Sequence, residues 1–244
     1  MSTGIQLRLE DVHAGYQRDV DVLNGVTLET AGRAVSLVIG PNGAGKSTTL
    51  KSAFGFLPPH RGVVTLGDKQ VQSLRPHEIK RMGVSYIPQG LNIFPQLTVE
   101  ENLRMGAWTF RRDRHRLREQ LDRIYELFPV LHQRRGNKAN ELSGGQAKML
   151  SISKEVITEP TVMLVDEPTA GLAPNISAQV YDFLVQTREA FGAQILLVDQ
   201  QIEDALRIAD YVYVLDLGKV KAEGPVSDFQ GDRVRLLIRE ALYG

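Results

Sequence analysis

The chain has no cysteine among its 244 residues. Disulfides and thiolate metal sites are therefore excluded, a composition compatible with a cytoplasmic protein. No zinc-type His/Glu cluster takes their place, and the five histidines form no catalytic or metal constellation. An excess of charge of one sign is also missing: 29 Lys and Arg residues balance 29 Asp and Glu. That balance gives no sign of the basic surface of a dedicated nucleic-acid binder, and no nucleic-acid partner is expected. Long hydrophobic runs are lacking as well. The longest, at 34–39 and 195–198, fall far short of the roughly 20 apolar residues that cross a bilayer. The N-terminal Met-Ser-Thr-Gly-Ile has neither a basic region nor a following apolar run, so no secretory leader is expected. Any role at a membrane would be borrowed from another subunit.

What the chain does have is enough apolar material, 42% of its residues, for one sizeable core or two small ones sharing an interface. Short β-branched runs recur at Val35–Ile39, Val84–Ile87, 162–165, 195–198 and 211–215. Several precede helical patterns, so the fold class is α/β, with a mostly parallel sheet covered by helices. The first thirty residues and residues 62–71 alternate around Gly and Asp, which predicts an antiparallel β subdomain beside that sheet. Between 98 and 150 the strand signal disappears, and Leu117, Leu121, Ile124 and Phe128 recur at the spacing of one helix face. A helical subdomain over about 90–155 is expected, inserted into a single domain spanning 1–244. Thr98 with Glu101 is a capping-box pair that would start its first helix. The basic segment 111–118 reads as a solvated helix face, with a lipid or acidic-partner contact as the alternative.

Gly40, Pro41, Asn42, Gly43, Ala44, Gly45, Lys46 and Ser47, followed by Thr48, follow a hydrophobic run and precede a helical one. This is P-loop spacing in the strand–loop–helix context that a phosphate site needs. The glycines let the backbone curl around phosphates so that amides and a helix N-terminus point at the anion. Lys46 supplies a mobile positive charge, and the Ser47 hydroxyl is a suitable Mg2+ ligand. The run 162–165 ends in Asp166 and Glu167, which places two carboxylates at the C-terminal edge of a strand. Asp166 suits Mg2+ held through water. Glu167 suits orientation or deprotonation of an attacking water.

Leu142-Ser143-Gly144-Gly145-Gln146 precedes a helical run beginning near Ala147. Ser143 and Gln146 have capping-box spacing, and the two glycines leave helix amides exposed to an anion. With this pentapeptide the chain resembles the ABC ATPase family along nearly its whole length, in motif order as well as in motifs. The resemblance implies ATP and Mg2+ as ligands, and a sandwich in which Ser143, Gly144, Gly145 and Gln146 of one subunit close on the γ-phosphate held by another subunit's P-loop. It further implies Tyr16 as an adenine-stacking ring, and Gln89 as the glutamine that reaches Mg2+ and the attacking water. Residues 91–95 would lie near the groove that receives permease subunits.

Two positions depart from the common pattern. Gln200 stands where most relatives carry histidine, giving an amide switch that cannot become charged. Ala173 stands where many carry aspartate. Together with 98–103, 125–129, 170–174 and 198–201, these departures resemble the ATP-binding subunits of branched-chain amino-acid importers and their amide and urea relatives. That likeness implies permease subunits and a second ABC ATPase subunit, alike or different, as partners, with a solute-binding protein acting indirectly. A non-transport ABC ATPase acting as a regulator or on nucleic acid is the alternative. A P-loop kinase or GTPase would leave 142–146 unexplained.

Overall fold

The five apolar runs are strands, and each serves two cores at once. The computed structural model describes residues 5–17, 20–30 and 32–229. Strands β3 (Val35–Ile39), β6 (Val84–Ile87), β7 (Val162–Asp166), β8 (Gln194–Val198) and β9 (Tyr211–Asp216) pair in parallel, and β10 (Lys219–Pro225) closes the sheet antiparallel to β9. The strand order is β10-β9-β3-β8-β7-β6. Successive side chains on a strand face opposite ways. Val35, Leu37 and Ile39 accordingly enter one core while Val38 enters the other, and Met163 and Val165 are likewise separated from Val162 and Leu164. Burial on both faces is why these strands read as unbroken apolar runs rather than as an alternation.

The second core is shared with an antiparallel sheet of β1 (Leu7–Ala14), β2 (Leu23–Glu29), β4 (Arg61–Leu66) and β5 (Lys69–Gln70), in the order β2-β1-β4-β5. Helix α1 (Lys46–Ala53) follows β3, and the short α2 (Pro76–Arg81) precedes β6. Along the other face run α3 (Val99–Gly106), α4 (Arg114–Leu127), α5 (Pro129–Gln133), α6 (Gly144–Val156) and α7 (Pro174–Phe191), with α8 (Ile202–Leu206) after β8.

Local chemistry fixes the ends of these helices. Thr98 accepts from the Glu101 N–H, and Glu101 accepts from the Thr98 N–H, so α3 opens with the expected reciprocal cap. The stripe Leu117, Leu121 and Ile124 is buried on α4, but Phe128 lies just past the helix end. Proline disfavours helical backbone in the residue before it, and with Pro129 next, Phe128 adopts φ −131°. Its ring leaves the helix direction and stacks on Phe183 at 3.7 Å between centroids. Helix α6 starts at Gly144, three residues before the expected Ala147, because Ser143 and Gln146 cap it reciprocally. In the basic segment, the side chains of 114, 116 and 118 face solvent while Leu117 is buried. Among the described residues no helix is long and apolar enough to cross a membrane.

Candidate active site

Four parallel strands deliver the candidate residues from the same edge of the sheet. β3 runs into the loop 40–45, β7 ends on Asp166 with Glu167 next, β8 is followed by Asp199 and Gln200, and β6 is followed by Pro88 and Gln89. Parallel strands put all their C-terminal ends on one side, so residues far apart in sequence meet there without any long connection.

At the start of α1, Gly45 serves as N-cap with φ 101°, and no side chain caps the helix. This left-handed backbone favours glycine, and it leaves the first-turn amides of α1 without intrahelical acceptors. Lys46 is buried, and its ammonium donates to the carbonyls of Gly40 at 2.8 Å and Pro41 at 3.0 Å. Burial lowers the pKa of that ammonium, opposed by the nearby carboxylates of Glu167, Asp166 and Asp199. The Ser47 hydroxyl donates to Asp166 Oδ1 at 2.8 Å. The other oxygen of Asp166 accepts from the Tyr86 hydroxyl at 2.8 Å, and burial together with that carboxylate keeps the phenol protonated. A hydroxyl and a carboxylate side by side form a hard-oxygen pair of the kind Mg2+ prefers, so Ser47 and Asp166 fit such an ion.

Glu167 is held from both sides. Gln89 Nε2 donates to Oε2 at 2.7 Å and Gln200 Nε2 donates to Oε1 at 2.6 Å. Its backbone lies at φ 42°, and its N–H donates to the Val198 carbonyl at 2.8 Å. A non-glycine residue held in this region costs on the order of 1 kcal/mol or more, and such strain gathers at functional sites. Here the turn swings the carboxylate from the strand end toward the two amides. Both acidic side chains are almost fully buried, which is costly unless their oxygens find donors, and each oxygen of both carboxylates has one.

Tyr16 stands apart, 60% exposed, with Lys51 donating to its hydroxyl at 3.2 Å and lying 5.6 Å from the ring centre. An aromatic face is thus presented beside α1. Ser143 and Gly144 are exposed at the tip of α6, Gly145 is buried and Gln146 is half-buried. Among the described residues, their side chains bond to one another and not to the phosphate loop. Leu91 and Phe94 are exposed, while Ile93 packs against the core.

Three residues at this site are given no role by the motif pattern. Tyr86 fixes Asp166, as described. Asp199 orders the segment bearing Gln200: its Oδ1 accepts from the backbone N–H groups of Gln200 at 2.7 Å and Gln201 at 3.0 Å, and its Oδ2 accepts from Tyr181 at 2.9 Å and Thr169 at 3.2 Å. An aspartate bonding the backbone just after it is common turn chemistry, so Asp199 had a usable local signal. Lys148 on α6 is buried, and its ammonium donates to the carbonyls of Pro88 and Gln89, each at 3.0 Å. Burial pushes its pKa down to about 8, against the pull of Asp166 and Asp199. One turn on, Ser151 donates to Asn92 at 2.8 Å, and Asn92 donates to Glu155 at 2.8 Å. The segment carrying Gln89 is thereby tied to the same helix whose N-terminus carries Ser143.

A family model described as ABC transporter matches residues 23–170. The probable branched-chain amino acid transport ATP-binding protein LivF of Archaeoglobus fulgidus is 36% identical over 222 residues, 91% of this chain and 93% of that protein. The high-affinity branched-chain amino acid transport ATP-binding protein BraG of Pseudomonas aeruginosa is 35% identical, over 84% of this chain and 87% of its own length. Among solved structures, the ADP conformation of an ATP-binding cassette of an ABC transporter superposes with a TM-score of 0.86 at 27% identity, over 100% of both chains.

Proposed function

The chain belongs to the ABC transporter family, and from that premise we propose that it energises an importer of branched-chain amino acids or related small polar solutes. It is an ATP-binding and ATP-hydrolysing subunit. Its place is the cytoplasmic face of the membrane, held there by permease subunits; the solute-binding protein is reached only through them.

In the assembled site, Lys46 and the backbone N–H groups of 42–48 hold the β and γ phosphates, and Tyr16 takes the adenine ring. Ser47, Asp166 and Gln89 would hold Mg2+, which would neutralise phosphate charge. Glu167 accepts a proton from the attacking water, and the amides of Gln89 and Gln200 orient its carboxylate. Gln200 also donates to a γ-phosphate oxygen. The observation that carries this reading is the double amide grip on Glu167 beside the Ser47–Asp166 pair. It sets the water-activating group and the metal-binding pair next to one another.

The pentapeptide serves a second ATPase subunit, alike or different. Support comes from Gly144. A Cβ built there would meet only Leu172 Cδ2, at 3.8 Å, and no positive φ requires glycine. Nothing in its own chain needs the missing side chain, whereas close approach of a foreign phosphate does. Residues 90–155 form the helical subdomain that moves with the permease, driven by nucleotide that binds the closed pair better than the open one.

The test is isolation of the chain from detergent-solubilised membranes. Copurification of transmembrane subunits whose reconstituted vesicles take up a branched-chain amino acid upon ATP hydrolysis is the expected result. Stable association with ribosomes or DNA alone would overturn it.

A further inference from the structure

Away from the nucleotide site, a cavity of about 420 Å³ opens between α3, α4, α5 and the turn that follows α5. Its floor is apolar, made by Leu117, Leu121 and the ring of Tyr125, all buried. Its walls are strongly basic: Arg104, Arg114, Arg118 and Arg135 converge on it from three elements, against only Glu100 and Asp122. The basic segment 111–118 thus supplies two of the four guanidiniums.

The charges are not matched internally. Arg104 is paired with Glu100 at 2.7 Å. Arg114 and Arg118 have no ion-pair partner among the described residues, and Arg135 donates to the imidazole Nε2 of His132 at 2.9 Å rather than to a carboxylate. Crowded like charges repel unless an anion lies between them, and guanidinium forks match phosphate and carboxylate oxygens. The Tyr125 ring is nine-tenths buried in that floor, and His132 stacks on it at 4.9 Å and holds it in place.

We propose that this cavity is a second ligand site that takes a small multivalent oxyanion, a phosphate or a polycarboxylate. The guanidiniums of Arg114, Arg118 and Arg135 hold it above the apolar floor. The space accommodates about a dozen waters, enough for a pyrophosphate- or citrate-sized anion. No residue lining it belongs to the nucleotide site.

The experiment is calorimetric titration of the full chain, its nucleotide site saturated with ADP, by inorganic pyrophosphate and separately by citrate at low salt. One further binding event is expected. Its affinity falls more than tenfold in Arg118→Glu/Arg135→Glu. Arg112→Glu, a charge reversal in the same basic segment outside the cavity, leaves it unchanged, and unaltered ADP affinity confirms that each variant is folded. Tighter binding of pyrophosphate identifies a phosphate ligand, and tighter binding of citrate a carboxylate one. Absence of a second event with either probe, an event that survives the double reversal, or an equal loss in Arg112→Glu would overturn the assignment.

Discussion

Two glycine-bearing helix starts in this chain carry opposite solutions to the same problem. At α1 the cap is Gly45, in left-handed backbone and without a side-chain acceptor. The buried Lys46 behind it is surrounded by the chain's own carboxylates. At α6 the cap is Ser143, engaged with Gln146 in a closed reciprocal pair, and a side chain at Gly144 next to it would touch only Leu172, at ordinary contact distance. Helix N-termini attract anions through free amides and the helix dipole. The first is completed by elements of its own sheet, and the second finds nothing in its own chain to act on. What differs is tertiary context: α1 follows a central strand whose neighbours deliver Asp166, Glu167 and Asp199, while α6 begins at a tip. In the function proposed above, such an end is left for a second subunit's phosphate.

That contrast can be tested in order of expected effect. The largest concerns the α1 side and its carboxylates: Glu167→Gln should lower the rate of phosphate release about 10²- to 10⁴-fold while retaining nucleotide affinity. Wild-type turnover would remove Glu167 from its role. Next, Lys46→Ala and Gly144→Val should fail differently. Lys46→Ala weakens ATP binding by about tenfold or more, since a charge-assisted contact to phosphate is lost. Gly144→Val leaves ATP binding by the isolated chain intact and suppresses hydrolysis in the assembled transporter. If equilibrium binding fell equally in both, the two helix starts would not be divided between own and partner nucleotide.

A smaller effect is expected at Gln200. Replacement by Ala removes the 2.6 Å donor to Glu167 and should reduce hydrolysis several-fold, matching the roughly 0.5–1.5 kcal/mol that one hydrogen bond contributes net. Replacement by His restores a donor and should cost less; equal rates in all three proteins would show that position 200 touches nothing that matters in turnover. The smallest concerns Ala173, the N-cap of α7, which has no side-chain cap bond. Ala173→Asp supplies the missing acceptor and should stabilise the fold by about 1 kcal/mol in denaturant titrations. A loss of stability there would mean that the cap position tolerates no acceptor.

Much of this arrangement was legible in the linear pattern because its causes are local. The double-sided strands show as continuous apolar runs, the caps of α3 and α6 as residue pairs three apart, and the phosphate loop as glycine spacing between a strand and a helix. The same locality explains the two misplacements. Phe128 continues the apolar period of α4, and only the backbone preference imposed by Pro129 turns it out of the helix. The onset of α6 is expected near Ala147 because two glycines are poor helix formers, yet the reciprocal cap starts the helix at Gly144. Tyr86 and Lys148 left no such trace. A tyrosine in a strand and a lysine in a helix are ordinary there, and their roles come from partners 80 and 60 residues away.

By itself the sequence determined the fold class, the phosphate loop, the acidic pair and the helix starts, because periodicity, capping and turn chemistry act over a few residues. Only the tertiary structure decided which donors grip each oxygen of Glu167, how α6 is tied to the segment carrying Gln89, and where four arginines gather around an apolar floor. Those are contacts between elements distant in the chain, and the parallel order of the strands and the packing of helices on their faces set them, not any local preference.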